Sequence, residues 1–227
     1  MSEKLHTVKA PKGSAFAGKQ VIYALRCCIR QPDGTLRGWH ESASKFVWPE
    51  KGVATAPDFD PSANCGGGLH YLPWGTGDVG CIKHDDPNVV GMALRVLATE
   101  HVDLGDKGKA PRVEVVMVGS IVDAANAVKA AGAPMPVHFG TATAGTRGTA
   151  TAGDAGTATA GDAGTATAGY AGTATAGDWG AICIEWYDSK KQRWRKSVAG
   201  VDGKKILPNV AYCLDADGKF VLKDGAK

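Results

Sequence analysis

Residues 140–179 read GTATAGTR, GTATAGDA, GTATAGDA, GTATAGYA, GTATAGDW, one octapeptide written five times. Within each octad Thr-Ala-Thr-Ala alternates polar and apolar, and alternation sends successive side chains to opposite faces of a strand. Glycine on either side of each strand predicts a tight turn, because glycine reaches backbone angles closed to other residues. A strand and a turn repeated at fixed period predict a β-solenoid. Two octads would close one flattened coil with two strands, so the stretch would stand about 12 Å tall at roughly 4.8 Å per coil. Ala142, Ala150, Ala158, Ala166 and Ala174 are expected to face inward, with the second alanine of each octad near the turn. Thr157, Thr159, Thr165, Thr167, Thr173 and Thr175 would then form outward ladders, with Tyr170 in a turn. An alanine interior buries little area at about 25 cal/mol per Å², so the stack needs a cap at each end. The competing reading is a flexible Gly/Ala/Thr linker. It is disfavoured by the strict eight-residue register, which confines Asp, Tyr and Arg to the turn positions.

The octads resemble those of bacterial ice-nucleation proteins, in which a Thr-x-Thr strand alternates with Ala-Gly-Tyr turns. Ala168-Gly169-Tyr170 and Thr173-Ala174-Thr175 carry that likeness. It implies the solenoid fold and, through the threonine ladders, an ice-binding surface.

Outward from the repeat, the chain has 227 residues and is 44% hydrophobic, enough for a core elsewhere. Residues 20–30 (QVIYALRCCIR) read as a strand, the Pro32-Asp33-Gly34 turn starts a hairpin, and 89–99 and 113–121 read as further strands. Residues 122–131 form the one good helix, rich in alanine and followed by Gly132. After the repeat, 181–187 takes the next strand position with Ile182 and Ile184 in place of alanine. Residues 193–201 pair back, and a last hairpin spans 208–222. The expected fold is mainly β. It comprises a disordered N-terminus (1–17), a small α+β head (18–135), a short two-sheet octapeptide β-solenoid (136–180) and a C-terminal β cap (181–227).

Net charge is +3, too mild to argue for nucleic acid by itself. The six cysteines are thinly spread, which disfavours a disulfide framework. The polar start of the chain lacks an apolar leader, and no apolar run approaches the length of a membrane span. These features predict a soluble protein of a reducing cytoplasm, with no membrane partner.

Two stretches of the head, APDFDP with CGGGLHYLPWG and VDLGDKGKAPRVEVVMVG, stand with the GTATAGD octads and the tail ILPNVAYCLDADGKFV. Together they resemble a family of uncharacterised proteins of bacteria, prophages and tailed phages. The resemblance covers most of 20–223. It implies an architecture and a phage or prophage setting, with an anti-defence or particle-associated role fitting that setting, and it carries over no catalytic residue.

Three constellations could carry chemistry. Cys65, His70, Cys81 and His84 offer thiolate and imidazole, the donors zinc prefers in closed four-ligand sites, although the spacing matches no common finger. The plainer reading is a buried cysteine beside a hydrogen-bonded histidine. The Gly-rich run before His70, with Arg26 and either Glu114 or Glu185, invites an ADP-ribosyltransferase-like head, since glycines admit close backbone approach to a phosphate. The run lacks both the dinucleotide and the P-loop order. Lys190-Lys191-Gln192-Arg193-Trp194-Arg195-Lys196 could grip phosphates or guard an exposed sheet edge. Binding is therefore expected around His70, Tyr71 and Trp74 and around Arg193, Trp194 and Arg195. The leading expectation is a non-catalytic interaction protein. Its repeat would serve as a rigid frame for docking, or for homo-oligomers formed through an edge or face, with no cofactor unless zinc.

Overall fold

The computed structural model describes residues 5–39, 45–82 and 86–223. The chain divides into two compact units, Met1–Met135 and Pro136–Lys227. The fold is mainly β, with one α-helix among the described residues.

The first unit contains β1 (Val8–Lys9), β2 (Gln20–Arg30), β3 (Leu36–Arg37), β4 (Val47–Trp48), β5 (Gly52–Thr55) and β6 (Leu69–Pro73). These are followed by β7 (Val89–Leu97), β8 (Val102–Asp103), β9 (Gly108–Ala110), β10 (Arg112–Gly119) and α1 (Ile121–Ala130). The main sheet runs β5-β10-β7-β2-β6-β9-β8, with β1 and β3 also on β2 and β4 on β3. β2 lies at the centre of the sheet, with Val21, Ile22, Tyr23 and Ile29 as its β-formers and a continuous buried run from Val21 to Leu25. Helix α1 starts at Ser120, whose side chain accepts from the Asp123 amide, and buries Ala124, Ala125 and Val128. Gly91 of β7 lies beneath the helix start, where a Cβ would fall 2.6 Å from the Ile121 Cα.

The expectation of a disordered N-terminus is corrected for residues 5–17. β1 pairs with β2 through Val8 and Val21, Phe16 is buried, and Ser14 and the Ala15 amide both bind the Glu114 carboxylate. A polar composition suggested fraying, but a buried charge in β10 needs these donors and holds the segment down.

The second unit begins with β11 (Thr141–Ala144), β12 (Thr149–Thr151), β13 (Thr157–Ala160), β14 (Thr165–Ala168) and β15 (Thr173–Ala176). β16 (Ala181–Asp188), β17 (Arg193–Gly200), β18 (Tyr212–Leu214) and β19 (Phe220–Leu222) complete it. Alternate octads fall in two sheets, ordered β11-β13-β15-β18-β19 and β12-β14-β16-β17. Within each sheet the repeat strands are parallel and in register at 16 residues, Thr141 beside Thr157 and Thr157 beside Thr173. Both alanines of the octad reach the core, not the first alone: Ala160, Ala168 and Ala176 are as buried as Ala158, Ala166 and Ala174. Residues two apart on a strand share a face, so the second alanine cannot turn away while the strand continues. Ile182, Ile184, Ile206 and Tyr212 enlarge this alanine core after the last octad. There β17 and β18 join the two sheets antiparallel, ending the parallel series.

The turns differ from expectation in which residue bends. The eighth residue of each octad, Arg147, Ala155, Ala163, Ala171 and Trp179, takes the left-handed conformation with φ between 52° and 58°. The glycines do not. They are there because the coil below leaves no room for a Cβ. One on Gly161 would sit 2.8 Å from the Thr146 nitrogen, and one on Gly172 would sit 2.9 Å from the Gly156 oxygen. The left-handed turn aims the eighth amide along the stack. Ala155 donates to the Tyr170 carbonyl and Ala163 to the Asp178 carbonyl, both at 2.7 Å. The seventh residue adds a second rung: Asp154 Oδ1 accepts from the Tyr170 amide at 2.9 Å and Asp162 Oδ1 from the Asp178 amide at 3.1 Å.

Left-handed alanine costs about 1–2 kcal/mol, partly offset in the unfolded chain by the entropy that a glycine would add. Ala163→Gly should therefore stabilise the second unit by up to roughly 1 kcal/mol. Gly161→Ala should destabilise it by about 1–3 kcal/mol or more through overpacking. Urea-unfolding midpoints of the two variants check the opposite signs.

Candidate functional site

The glycine run of the first unit packs against an Asp-rich loop. Any Cβ on Gly67 would overlap the Asp58 carbonyl, and the Gly68 amide donates to Asp58 Oδ1 at 3.2 Å. Lys109, opposite His70 across the β6–β9 pair, is completely buried, and its Nζ donates to the Asn64 carbonyl at 2.7 Å. The loop is thus clamped to the sheet from beneath by a lysine, a role that the strand pattern alone did not signal.

His70 is half-buried at this edge. Arg26 donates to its carbonyl oxygen and stacks over the Trp48 ring, 4.3 Å from its centre. Burial, reinforced by the charges of Arg26, Lys107 and Lys109, depresses the His70 pKa and favours the neutral imidazole. Arg26 Nε and Trp48 Nε1 are buried with no hydrogen-bond partner among the described residues.

Tyr71 and Trp74, expected as binding residues, are instead core, and that expectation is corrected. The Tyr71 hydroxyl donates to the Lys109 carbonyl at 3.1 Å and meets His101 Nδ1 at 3.0 Å. Trp74 Nε1 donates to the His6 carbonyl at 2.9 Å. Each aromatic is fully occupied where its polar tip finds a partner inside. Burial pushes the Tyr71 hydroxyl pKa far up and the His101 pKa down.

Arg26, His70 and Glu114 do not form one catalytic set. Glu114 is held by Arg95 at 3.0 Å, by the Ala15 amide at 3.0 Å and by Ser14. Arg95 is the cross-strand partner of both Glu114 and Tyr23. Arg26 lies three residues from Tyr23, an odd step, so it points through the other face of the sheet. Glu185, the other carboxylate considered, is in β16 of the second unit, beside Lys196.

The expected zinc ligands fare differently. Cys65 Sγ lies 4.0 Å from His70 Nε2. Cys81 groups with Asp78 and Asp106, their donor atoms all within 4.8 Å of one another. Burial raises the Cys81 pKa against the pull of Lys107, and the neighbouring Asp78, Asp106 and Cys65 raise it further. His84 lies outside the described residues. The two carboxylates were not among the expected ligands, because nothing in their spacing links residue 78 to residue 106. The Asp78 amide donating to the Asp106 carbonyl at 2.9 Å brings them together.

In the second unit, the threonines expected to form ladders, Thr157, Thr159, Thr165, Thr167, Thr173 and Thr175, point away from the alanine core, exposed to half-buried. β17 is the last strand of its sheet. Trp194 is 57% exposed and Val198 67%. Trp194 meets Tyr170 and Tyr187 edge-on, with ring centres 5.5 and 5.3 Å apart. Arg195 is tied to Asp188 at 3.0 Å and Lys190 to Asp217 at 2.9 Å. Arg193 and Lys196 are exposed and have no ion-pair partner among the described residues. Trp179, 86% exposed in its left-handed turn, was not singled out by sequence, since tryptophan there replaces the alanine of other octads.

No family model, no curated protein and no solved structure matches this chain. No helix among the described residues is long and apolar enough to cross a membrane.

The Glu114 network lowers that carboxyl's pKa: burial alone would raise it, but Ser14, the Ala15 amide and Arg95 outweigh burial. A depressed carboxylate stabilises the fold above its unfolded pKa and loses that contribution as pH falls through the folded value. Glu114→Gln should cost about 1–3 kcal/mol, as expected for hydrogen bonds to a charge. It should also flatten the acid limb of the stability–pH curve and open residues 5–17 to limited proteolysis.

Proposed function

We propose that this protein is a non-catalytic interaction protein whose second unit is a short, capped β-solenoid used as a rigid frame. The observation that carries the reading is the free edge of β17, where Trp194, Lys196 and Val198 share one face with Tyr187, beside Tyr170, and Arg193 is exposed on the other. Proteins normally blunt such an edge or cover it, and exposed aromatics with arginine are the side chains that anchor interfaces. The 16-residue parallel register supports the solenoid reading.

The partner we favour is an acidic, extended protein segment that adds a strand to β17. A second copy would set the cations of one β17 against those of the other, which costs binding. Nucleic acid is less favoured, because Arg195 and Lys190 are already neutralised by Asp188 and Asp217. The resemblance of the CGGGLH head and the GTATAGD octads to phage and prophage proteins supports a host-cell protein as the target, components of host defence among them.

A photocrosslinker at Val198 should capture one acidic protein from host lysate, and Trp194→Ala should cut its affinity by about tenfold or more without changing the melting temperature. Equal capture by wild type and Trp194→Ala would reject this edge as the docking surface. The outward threonine rows favour a second reading, ice binding. It requires thermal hysteresis that a Thr157→Lys/Thr173→Lys variant abolishes, and ordinary freezing of the wild type would exclude it.

A further inference from the structure

On one side of β2 the ladder is broken. β6 pairs with β2 at Ala24 and Leu25, and β3 pairs with it at Ile29 and Arg30. Residues 26–28 lie in the breach between those two pairings. Side chains alternate along a strand, so Arg26, Cys28 and Arg30 point through one face. Pairing carries that face from Arg30 to Leu36 and from Leu36 to Trp48. The Trp48 ring thereby comes against Arg26, with the guanidinium carbon 4.3 Å from the ring centre.

The stack leaves two donors without acceptors. Arg26 Nη1 donates to the His70 carbonyl, but Arg26 Nε and Trp48 Nε1 are buried and have no hydrogen-bond partner among the described residues. Trp48 as a whole is 3% exposed, so bulk water does not satisfy its indole. A buried donor in this state carries its full desolvation cost, and more when it is charged. Among the described residues no carboxylate pairs with Arg26. Cys28 is the acidic group beside it on the same face, and burial keeps that thiol protonated against the pull of the guanidinium. A neutral thiol is only a weak acceptor and supplies no counter-charge.

We propose that Arg26 and Trp48 bind the carboxylate of a small-molecule ligand at this breach. With Nη1 engaged by His70, the remaining fork of the guanidinium is Nε with Nη2. Its two parallel N–H bonds match the two coplanar oxygens of a carboxylate, and the indole N–H adds a donor to one of them. A single negative charge balances the single guanidinium, whereas a phosphate dianion would leave charge uncompensated in a buried setting. Arg26 is only half-buried, so its head is reached from outside while Nε stays dry. On β7 its cross-strand neighbour is the fully buried Met92, an apolar wall that strengthens the pairing of opposite charges. No covalent step is involved. The site belongs to the first unit and does not rest on the reading of β17.

Acetate is the probe, added to the full chain at constant ionic strength kept with chloride. In NMR spectra the Arg26 Nε–H and Trp48 Nε1–H resonances should move together and saturate in the millimolar range. Trp48→Phe keeps a ring against Arg26 and removes the indole donor. Read at Arg26, it should weaken acetate binding by about tenfold, as expected for one hydrogen bond to a charge. Arg26→Lys keeps the charge but loses the fork, and should abolish the movement at Trp48 while circular dichroism shows the fold retained. Inorganic phosphate should bind more weakly than acetate. Resonances of the wild type that do not saturate with acetate, Trp48→Phe binding acetate as tightly as wild type, or phosphate binding more tightly than acetate would each overturn the proposal.

Discussion

The repeat depends on one backbone constraint. Coils that stack about 4.8 Å apart leave space above each corner for a hydrogen bond but not for a side chain. The eighth residue meets the first demand by turning left-handed, so that its amide reaches the carbonyl of a residue 15 further on, as Ala163 reaches Asp178. Glycine meets the second by lacking a Cβ. Aspartate at the seventh position then caps the amide one coil above. The octapeptide is thus a solution to stacking at the corners as much as an alternating strand, and its alanine interior follows from the close approach of the two sheets.

Regular stacking creates edges as an unavoidable product. At the C-terminal side, β17 and β18 switch to antiparallel pairing and bring isoleucine and tyrosine into the core. This stops the parallel series without removing the outer edge of β17. Cations and aromatic rings occupy that edge together. The same strand therefore ends the parallel series and carries exposed aromatic and cationic side chains at the sheet's edge.

Much of the second unit was legible in the sequence because its periodicity is strict and its interactions are local or one coil apart. The 16-residue register, the outward threonines and the larger residues that follow the repeat all rest on alternation and period. The conformation of the turn was not legible, since glycine signals both backbone freedom and close approach, and only geometry separates the two. In the first unit, strands 20–30, 89–99 and 113–121 and the helix could be read from β-branched content, alanine content and punctuation. The ordered N-terminus could not, because what holds it is Glu114, a hundred residues from Ser14. For the same reason Tyr71 and Trp74 read as surface anchors although a buried lysine carbonyl and the His6 carbonyl engage them, and Asp78 and Asp106 did not read as neighbours of Cys81.

The corner hydrogen bond is what distinguishes a stacked coil from a flexible Gly/Ala/Thr segment. Amide hydrogen exchange, resolved by NMR at Arg147, Ala155 and Ala163, tests it directly. These turn amides should exchange as slowly as those of the strands they join, Ala158 and Ala166 among them. Exchange at the rate of an unfolded peptide in all three would contradict the coil.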